Sequence, residues 1–277
     1  MNLRDITDLA GCRAVVALQE RVWGQGSEIV PASVLLVSAK RGGILIGAFD
    51  EAGLAGFVWS MPGVRDGVRT HWSHMLGVRP DARRHGLGRL LKLAQRDRAL
   101  DQGIELIEWT FDPLQAPNAH LNFTVLGCVA STYLADAYGD MAGPLHRGTA
   151  TDRLVAEWNI RSPHVERRLA LPGNRSAGPI RSSDILAAPR AVTTADSGDW
   201  TTIAGFDLNL DTRRILLPIP SQFTEMQSRA PELAHAWRVT TRDLFQAYFS
   251  RGFRAVDYHL DRQSGSGEYV LAQTSSG

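Results

Sequence analysis

The chain has 277 residues, of which 44% are apolar and 21% charged. That balance is ordinary for a globular protein and excludes a disordered chain, a collagen and a membrane bundle. Thirty basic residues against twenty-nine acidic ones leave a formal net charge of +1, so wholesale electrostatic binding to nucleic acid is not expected.

Thr7 is placed to cap a first helix running to about Trp23. Leu9, Cys12, Val15, Val16 and Val22 recur there at helical spacing, and Gly24 stops it. Pro31 suits the first position of a second helix that ends near Gly42 and Gly43. The period then changes. Short apolar runs over residues 44–49 and 54–61, separated by Asp50-Glu51-Ala52-Gly53, predict a β-hairpin. Pro62 and Asp66-Gly67 predict a further turn, and residues 68–78 a third strand. A basic loop with glycines follows, then a helix carried by Leu87, Leu90, Leu91 and Ala94 that ends before Gly103. Residues 104–111 predict a fourth strand, 119–126 a short helix stopped at Gly127, and 131–138 and 154–160 two more strands.

From residue 161 to 200 the chain holds Pro163, Pro172, Gly173, Gly178, Pro179, Pro189 and Gly198, which predicts loops, short strands and a domain boundary. Ile215-Leu216-Leu217 predict a strand closed by Pro218 and Pro220. Residues 231–251 predict a long amphipathic helix with Leu233, Trp237, Leu244 and Tyr248 on one side and Gly252 at its C-cap. Residues 253–260 and 268–272 flank Ser264-Gly265-Ser266-Gly267 as a final hairpin. The order over residues 213–260 (strand, loop, helix, strand) repeats that of residues 68–111, which suggests a degenerate second half-domain without a phosphate site. An interface element or a wall of an acceptor pocket are the alternatives. The apolar face of the long helix needs a partner, either the N-terminal domain or a second copy in a homodimer. Trp237, Phe245, Tyr248 and Phe249 read as core rather than a ligand cage. Arg238 and Arg242, one turn apart, read as a solvated face sooner than a carboxylate site.

Two cysteines, Cys12 and Cys128, are too few for a disulfide scaffold and lack the spacing of a zinc or redox motif, so no metal is expected. The first residues carry an early acid and no apolar leader, and no apolar run approaches the ~20 residues of a membrane span. These features predict a cytoplasmic protein with neither a membrane nor nucleic acid as partner.

The most informative stretch is residues 71–103. A strand ends at Val78, Arg79-Pro80-Asp81 turns the chain, and Arg83-Arg84-His85-Gly86-Leu87-Gly88 runs into a helix. Glycines at a helix start let backbone approach an anion. The first-turn N–H groups have no intrahelical acceptors, and the helix dipole makes that end positive, so such a site holds phosphate. Between Arg79 and Arg98 stand seven Lys or Arg against Asp81 and Asp97, a local excess in a neutral chain. Neither a dinucleotide-binding Gly-x-Gly-x-x-Gly nor a Gly-Lys-Ser/Thr loop is present.

This segment resembles the GNAT superfamily of acyl-CoA N-acyltransferases. Arg83, Gly86 and Gly88 meet the pattern Arg-x-x-Gly-x-Gly between a strand and a helix. The upstream order of two helices, hairpin and central strand also fits, as do the strand over 104–111 and the Ala119-x-x-Asn122-Phe123-x-x-Leu126-Gly127 helix. The resemblance covers about residues 1–160 and implies an α/β fold: a mixed, mostly antiparallel sheet flanked by helices, here followed by a C-terminal α/β extension over 161–277. It implies that acetyl-CoA or another acyl-CoA is the co-substrate. The pyrophosphate would lie on the backbone of Arg84, His85, Gly86, Leu87 and Gly88, with Arg83 and Arg89 beside it. The pantetheine would pair with the backbone of Leu76, Gly77 and Val78, where neighbouring strands splay apart. Asn122 would bond the cofactor or cap backbone.

Acyl transfer to an amine needs a base for the nitrogen, a donor to polarise the thioester carbonyl and, in some enzymes, an acid for the leaving thiolate. In this fold a backbone N–H of the splayed strand polarises the carbonyl, here that of Leu76 or Gly77. His74 is the candidate base. Strand alternation puts it with Trp72 and Leu76 on one face. It lies nine residues before Arg83, a spacing similar to that of the strand histidine in the arylalkylamine acyltransferases of this superfamily. A core histidine satisfied by backbone is the alternative. Trp72, Glu108 and Asp112 are candidates for binding the acceptor. Many members carry a tyrosine four residues before the glycine that ends the short helix. Phe123 stands there and has no proton to donate, so the thiolate leaves unprotonated, is protonated by water, or is served by Tyr133 or Tyr138, of which Tyr133 is preferred. The expected function is acyl transfer from acyl-CoA to the amine of a small molecule such as an amino acid. The alternatives are a non-catalytic acyl-CoA sensor or scaffold, and an O-acyltransferase or decarboxylase on the same fold.

Overall fold

A computed structural model describes residues 1–24, 29–83, 86–139, 150–171, 187–220, 222–260 and 267–273. Arg84 and His85 of the glycine loop lie outside them, as do Ser264-Gly265-Ser266 of the last turn. The described residues form two compact units. One comprises Met1–Trp109 with Glu157–Ser162, the other residues 110–139 and 150–156 together with the described residues from 163 onwards. Among the described residues, 110–139 and 150–156 are compact with the C-terminal half.

The first unit contains β1 (Asn2–Asp5), α1 (Leu9–Trp23), α2 (Ala32–Lys40), β2 (Ile44–Asp50), β3 (Gly53–Arg65), β4 (Val68–Val78), a 3₁₀ turn (Pro80–Ala82), α3 (Leu87–Asp101) and the start of β5 (Leu106–Phe111). Its strands lie in the order β1-β2-β3-β4-β5. The first three pairings are antiparallel and β4–β5 is parallel. The cap of α1 is Asp8 rather than Thr7; its carboxylate accepts from the Gly11 N–H at 2.7 Å. Pro31 precedes α2 as its N-cap, one place earlier than expected. Pro62 does not end a strand. It sits inside β3 opposite His71, and the chain turns instead at Asp66 and Gly67, both at positive φ, which is the geometry of a two-residue hairpin turn. One face of the hairpin packs on α1 and α2 through Cys12, Val15, Leu18, Leu35, Leu45, Phe57 and Trp59. The amide of Gln19 ties α1 to the entry of α2, accepting from the Val30 N–H and donating to its carbonyl.

The second unit takes in α4 (Ala116–Ala119), which runs into a π turn (His120–Val125), β6 (Val129–Leu134), most of β7 (Arg153–Asn159), α5 (Pro163–Ala170), β8 (Val192–Ser197), β9 (Trp200–Phe206), β10 (Arg214–Ile219), α6 (Phe223–Arg229), α7 (Pro231–Ser250), β11 (Phe253–Leu260) and β12 (Gly267–Gln273). Four strands lie in the order β6-β11-β12-β10, and β8–β9 is a separate hairpin. The expected repeat extends only to element order: β12 stands between β10 and β11, whereas β4 and β5 pair directly. The β11–β12 hairpin claims the neighbouring position for itself. Pro218 sits within β10 opposite Glu268 instead of closing the strand. Helices α5 and α6 were not expected.

The aromatic face of α7 is core. The Tyr269 ring meets Phe123, Phe245 and Tyr258 with centroids 5.5, 5.2 and 5.0 Å away, and its hydroxyl donates to the Pro113 carbonyl at 2.6 Å. Arg238 and Arg242 are not a solvated face. Arg238 is buried and donates through both terminal nitrogens to Asp112 at 2.7 Å; Arg242 clamps the fully buried Asp152 at 2.7 and 2.9 Å. A carboxylate removed from water needs such a partner, and bidentate geometry supplies it. Asp112→Ala should therefore leave Arg238 charged and unpaired and cost about 3–5 kcal/mol. Urea denaturation should show that loss, and the double variant Asp112→Ala/Arg238→Met should recover most of it.

Candidate functional site

In the first unit the site is built on β4. Parallel pairing with β5 runs only through His71↔Ile107 and Trp72↔Glu108. From Ser73 to Val78 the edge of β4 that faces away from β3 has no strand partner among the described residues. Backbone donors and acceptors on such an edge call for a ligand or for water. At its far end the Val78 carbonyl accepts from Arg83 Nε at 3.1 Å.

Register sets the faces. Trp59 pairs with Met75 and Ser60 with Ser73, so His74 is an extra residue, a β-bulge. A bulge re-aims a side chain and breaks alternation. The expected common face for Trp72, His74 and Leu76 is thus corrected. Trp72 lies opposite Met61, on the side of Trp59, while Leu76 lies opposite Val58 on the other side. The His74 ring meets that of Trp59 edge-on, centroids 5.2 Å apart, which puts the imidazole on the Trp59 side. Partial desolvation beside Trp59 lowers its pKa from the ordinary 6.5, which favours the neutral ring at pH 7. Glu108 pairs with Trp72 and shares that face. Its carboxylate accepts from Arg65 at 2.6 Å, and the same Arg65 nitrogen reaches Glu157 at 3.3 Å, so Glu108 is held in an ion-pair cluster that the sequence did not reveal.

Beyond β4 the chain is pinned before it reaches the glycines. Arg79 is buried and bonds both Asp50 and Asp81, and its N–H donates to the Ala55 carbonyl at 2.8 Å. The guanidinium holds the Asp81 carboxyl below its ordinary pKa. Gly86 then caps α3 at φ 74, a left-handed conformation that favours glycine. The N–H groups of the following turn have no intrahelical acceptors. Arg89, in that turn, has its Nε buried with no hydrogen-bond partner. Close approach is built in at Gly77, where a Cβ would come within 2.7 Å of the Phe57 ring, and at Gly56, where it would meet the Gly77 carbonyl at 3.0 Å. The open edge, the left-handed cap and the orphan Arg89 donor fit a phosphate-bearing thioester. The basic excess of the helix is mostly committed elsewhere: Arg96 donates to the Ile160 carbonyl, Arg98 pairs with Asp5, and Lys92 is buried.

The remaining expected residues lie in the second unit. Asn122 sits in the π turn, buried, with its Nδ2 donor unsatisfied. Phe123 is sealed among Phe111 and Tyr269. Tyr133 stacks on Phe245 and donates its hydroxyl proton to Asp152 at 2.7 Å. Burial and the Asp152 charge drive its pKa far up. Asp112 is bound to Arg238. Neither Tyr133 nor Asp112 presents a free group, because each answers a charge that folding has desolvated. Among the described residues no group of His, Cys, Asp and Glu is set to hold a metal ion, and no helix is long and apolar enough to cross a membrane.

The model of the Acetyltransferase (GNAT) family matches residues 14–121. GNAT acetyltransferases use acetyl-CoA as co-substrate. No curated protein matches the chain. Among solved structures it is similar to ribosomal-protein-alanine N-acetyltransferase from Brucella melitensis, with 18% identity, 57% of this chain and 98% of that one covered, and a TM-score of 0.47. The ribosomal-protein-S18-alanine N-acetyltransferase from Escherichia coli gives 16%, 57%, 93% and 0.46. Aminoglycoside 6'-acetyltransferase type Ii gives 18%, 58%, 99% and 0.46.

One consequence concerns pH. His71 is buried beneath the sheet between Ser60 and Gln102. The Gln102 Oε1 only accepts, so Nε2 carries the proton and Nδ1 accepts from the Ser60 hydroxyl. Burial lowers the pKa of His71 from 6.5. The unfolded chain takes up this proton first, so the contribution of His71 to stability is complete above about pH 6.5 and is lost as the pH falls below it. The loss in denaturation midpoint between about pH 7.5 and about pH 5 should be smaller in His71→Gln than in the parent.

Proposed function

We propose that the protein is an acyl-CoA-dependent N-acyltransferase whose acceptor is the amine of a small molecule. The observation that carries this reading is the join of an unpaired β4 edge, opened at a bulge, to a helix start capped by a left-handed glycine. Acyl-CoA supplies an activated thioester carbonyl. The chain's own residues do the rest. The backbone of Gly86, Leu87 and Gly88, with Arg89, holds the pyrophosphate. The edge of Leu76, Gly77 and Val78 aligns the pantetheine, and Arg83 yields the Val78 carbonyl to it. The N–H of Leu76 or Gly77 donates to the carbonyl oxygen as charge develops there.

His74, neutral at pH 7, accepts the proton of the attacking nitrogen directly or through a water. Trp59 and Trp72 flank it on one face, and Glu108, fixed by Arg65, gives that side a carboxylate suited to an approaching ammonium. With Tyr133 committed to Asp152 and Phe123 without a hydroxyl, the thiolate takes its proton from solvent. A sensor without turnover would need none of the His74 geometry, which favours the enzyme.

His74→Ala should lower turnover by roughly 10²–10⁴-fold while the KM for acyl-CoA changes little. In the parent the acidic limb of the pH–rate profile should lie below about 6.5, since partial desolvation lowers the His74 pKa, and the variant should lose it. An enzyme with parental turnover and an unchanged profile would sink this role. Gly88→Glu tests the cofactor site. Gly88 lies inside α3, whose backbone conformation any residue can adopt, whereas Gly86 at positive φ favours glycine. Calorimetric titration should show CoA binding lost with the fold retained.

A further inference from the structure

The face of β4 turned away from Trp59 carries a buried polar cluster that the proposed mechanism does not use. Ser73 is the last paired residue before the bulge at His74. Its hydroxyl accepts from Lys92 Nζ at 2.8 Å and from Gln95 Nε2 at 3.0 Å. Lys92 Nζ also donates to Gln95 Oε1 at 3.1 Å and stands 3.4 Å above the centre of the Trp109 ring on β5. Lys92 is 2% exposed and Gln95 is fully buried. Two residues earlier on the same strand, His71 bonds Gln102 at the end of α3. So α3 is fastened to β4 at two points by polar contacts, and the Lys92 ammonium touches both strands that part at the site.

An apolar helix face slides along a sheet with small changes in energy. A buried donor cannot, because leaving it unsatisfied costs more than the contact gains. The position of α3 along β4 sets how far its first turn lies from the bulge. Under the function proposed above, the first turn holds the pyrophosphate and the bulge holds the base. We infer that Lys92, with Ser73 and Gln95, is a positioning group that locks the cofactor-anchoring helix in register with the His74 bulge and props β4 and β5 at the point where they part.

The test uses the full-length chain and the variants Lys92→Met, Ser73→Ala and their double, with CoA as the titrated ligand and acyl-CoA plus a pool of small amines for turnover. Lys92→Met keeps the length and apolar stem of the side chain and removes the donor. The expected result is a fall in kcat of at least tenfold, with the Kd for CoA and the KM for acyl-CoA within about threefold of the parent, because the α3 start is intact and only its placement is lost. The double variant should be no worse than the poorer single one, since both break the Lys92–Ser73 bond of one network. Thermal melts identify a variant that has merely unfolded. In that event Gln95→Leu, which removes the cluster's second donor without touching a charge, is read the same way. Parental kcat in folded Lys92→Met, or losses that multiply in the double variant, would overturn the inference. A parent that binds CoA yet releases no thiol with any amine would overturn the function proposed above instead, and the two failures are therefore distinct.

Discussion

Parallel pairing between β4 and β5 lasts for two residue pairs, and the geometry of the first unit hangs on where it stops. A strand in the middle of a sheet has its backbone groups used on both sides. Once β5 departs, Ser73 and the residues from Met75 to Val78 stay paired with β3 and have no strand partner on the other side among the described residues. The bulge falls at the same place. It adds one residue to β4, tightens the local twist, and turns His74 out of the alternation toward Trp59. At one place along β4 an open backbone edge and an imidazole thus stand side by side.

Charge in this protein is mostly architectural. Arg79 braces the loop base with Asp50 and Asp81, Arg65 gathers Glu108 and Glu157, Arg238 and Arg242 neutralise Asp112 and Asp152, and Arg168 pairs with Asp257 in the core of the second unit. Such pairs add little net stability over an apolar core but are costly to break, so they specify which surfaces meet. A count of basic residues near the glycine loop overstates what is left for a phosphate. Among the described residues, the backbone of α3's first turn and the unpaired Nε of Arg89 remain.

Much of the first unit was legible in the chain. The helical period of Cys12, Val15 and Leu18, the paired apolar runs around Asp50, and Gly86 and Gly88 at a helix start all report local conformational preferences, and they place α1, β2, β3 and α3. Errors cluster where distant residues overrule a local signal. Pro62 and Pro218 read as strand ends, yet each stands inside a strand. The alternation of Trp72, His74 and Leu76 failed at the bulge, since nothing in residues 72–76 announces an extra residue; only the partner strand does. Helix α5 was hidden by Pro163, which reads as a breaker but starts the helix.

The amino-acid sequence by itself determined the class of element along most of the chain and the glycine loop with its resemblance to an acyl-CoA site, because turns, caps and apolar periods are properties of neighbouring residues. Only the tertiary structure decided which charges are spent on one another. It also decided that, among the described residues, 110–139 and 150–156 are compact with the C-terminal half, that Tyr133 bonds Asp152 and that Asp112 pairs with Arg238. Burial and pairing are properties of residues far apart in the chain. Arg238 and Asp112 are separated by 126 positions, and the energy that joins them exists only once folding has removed both from water.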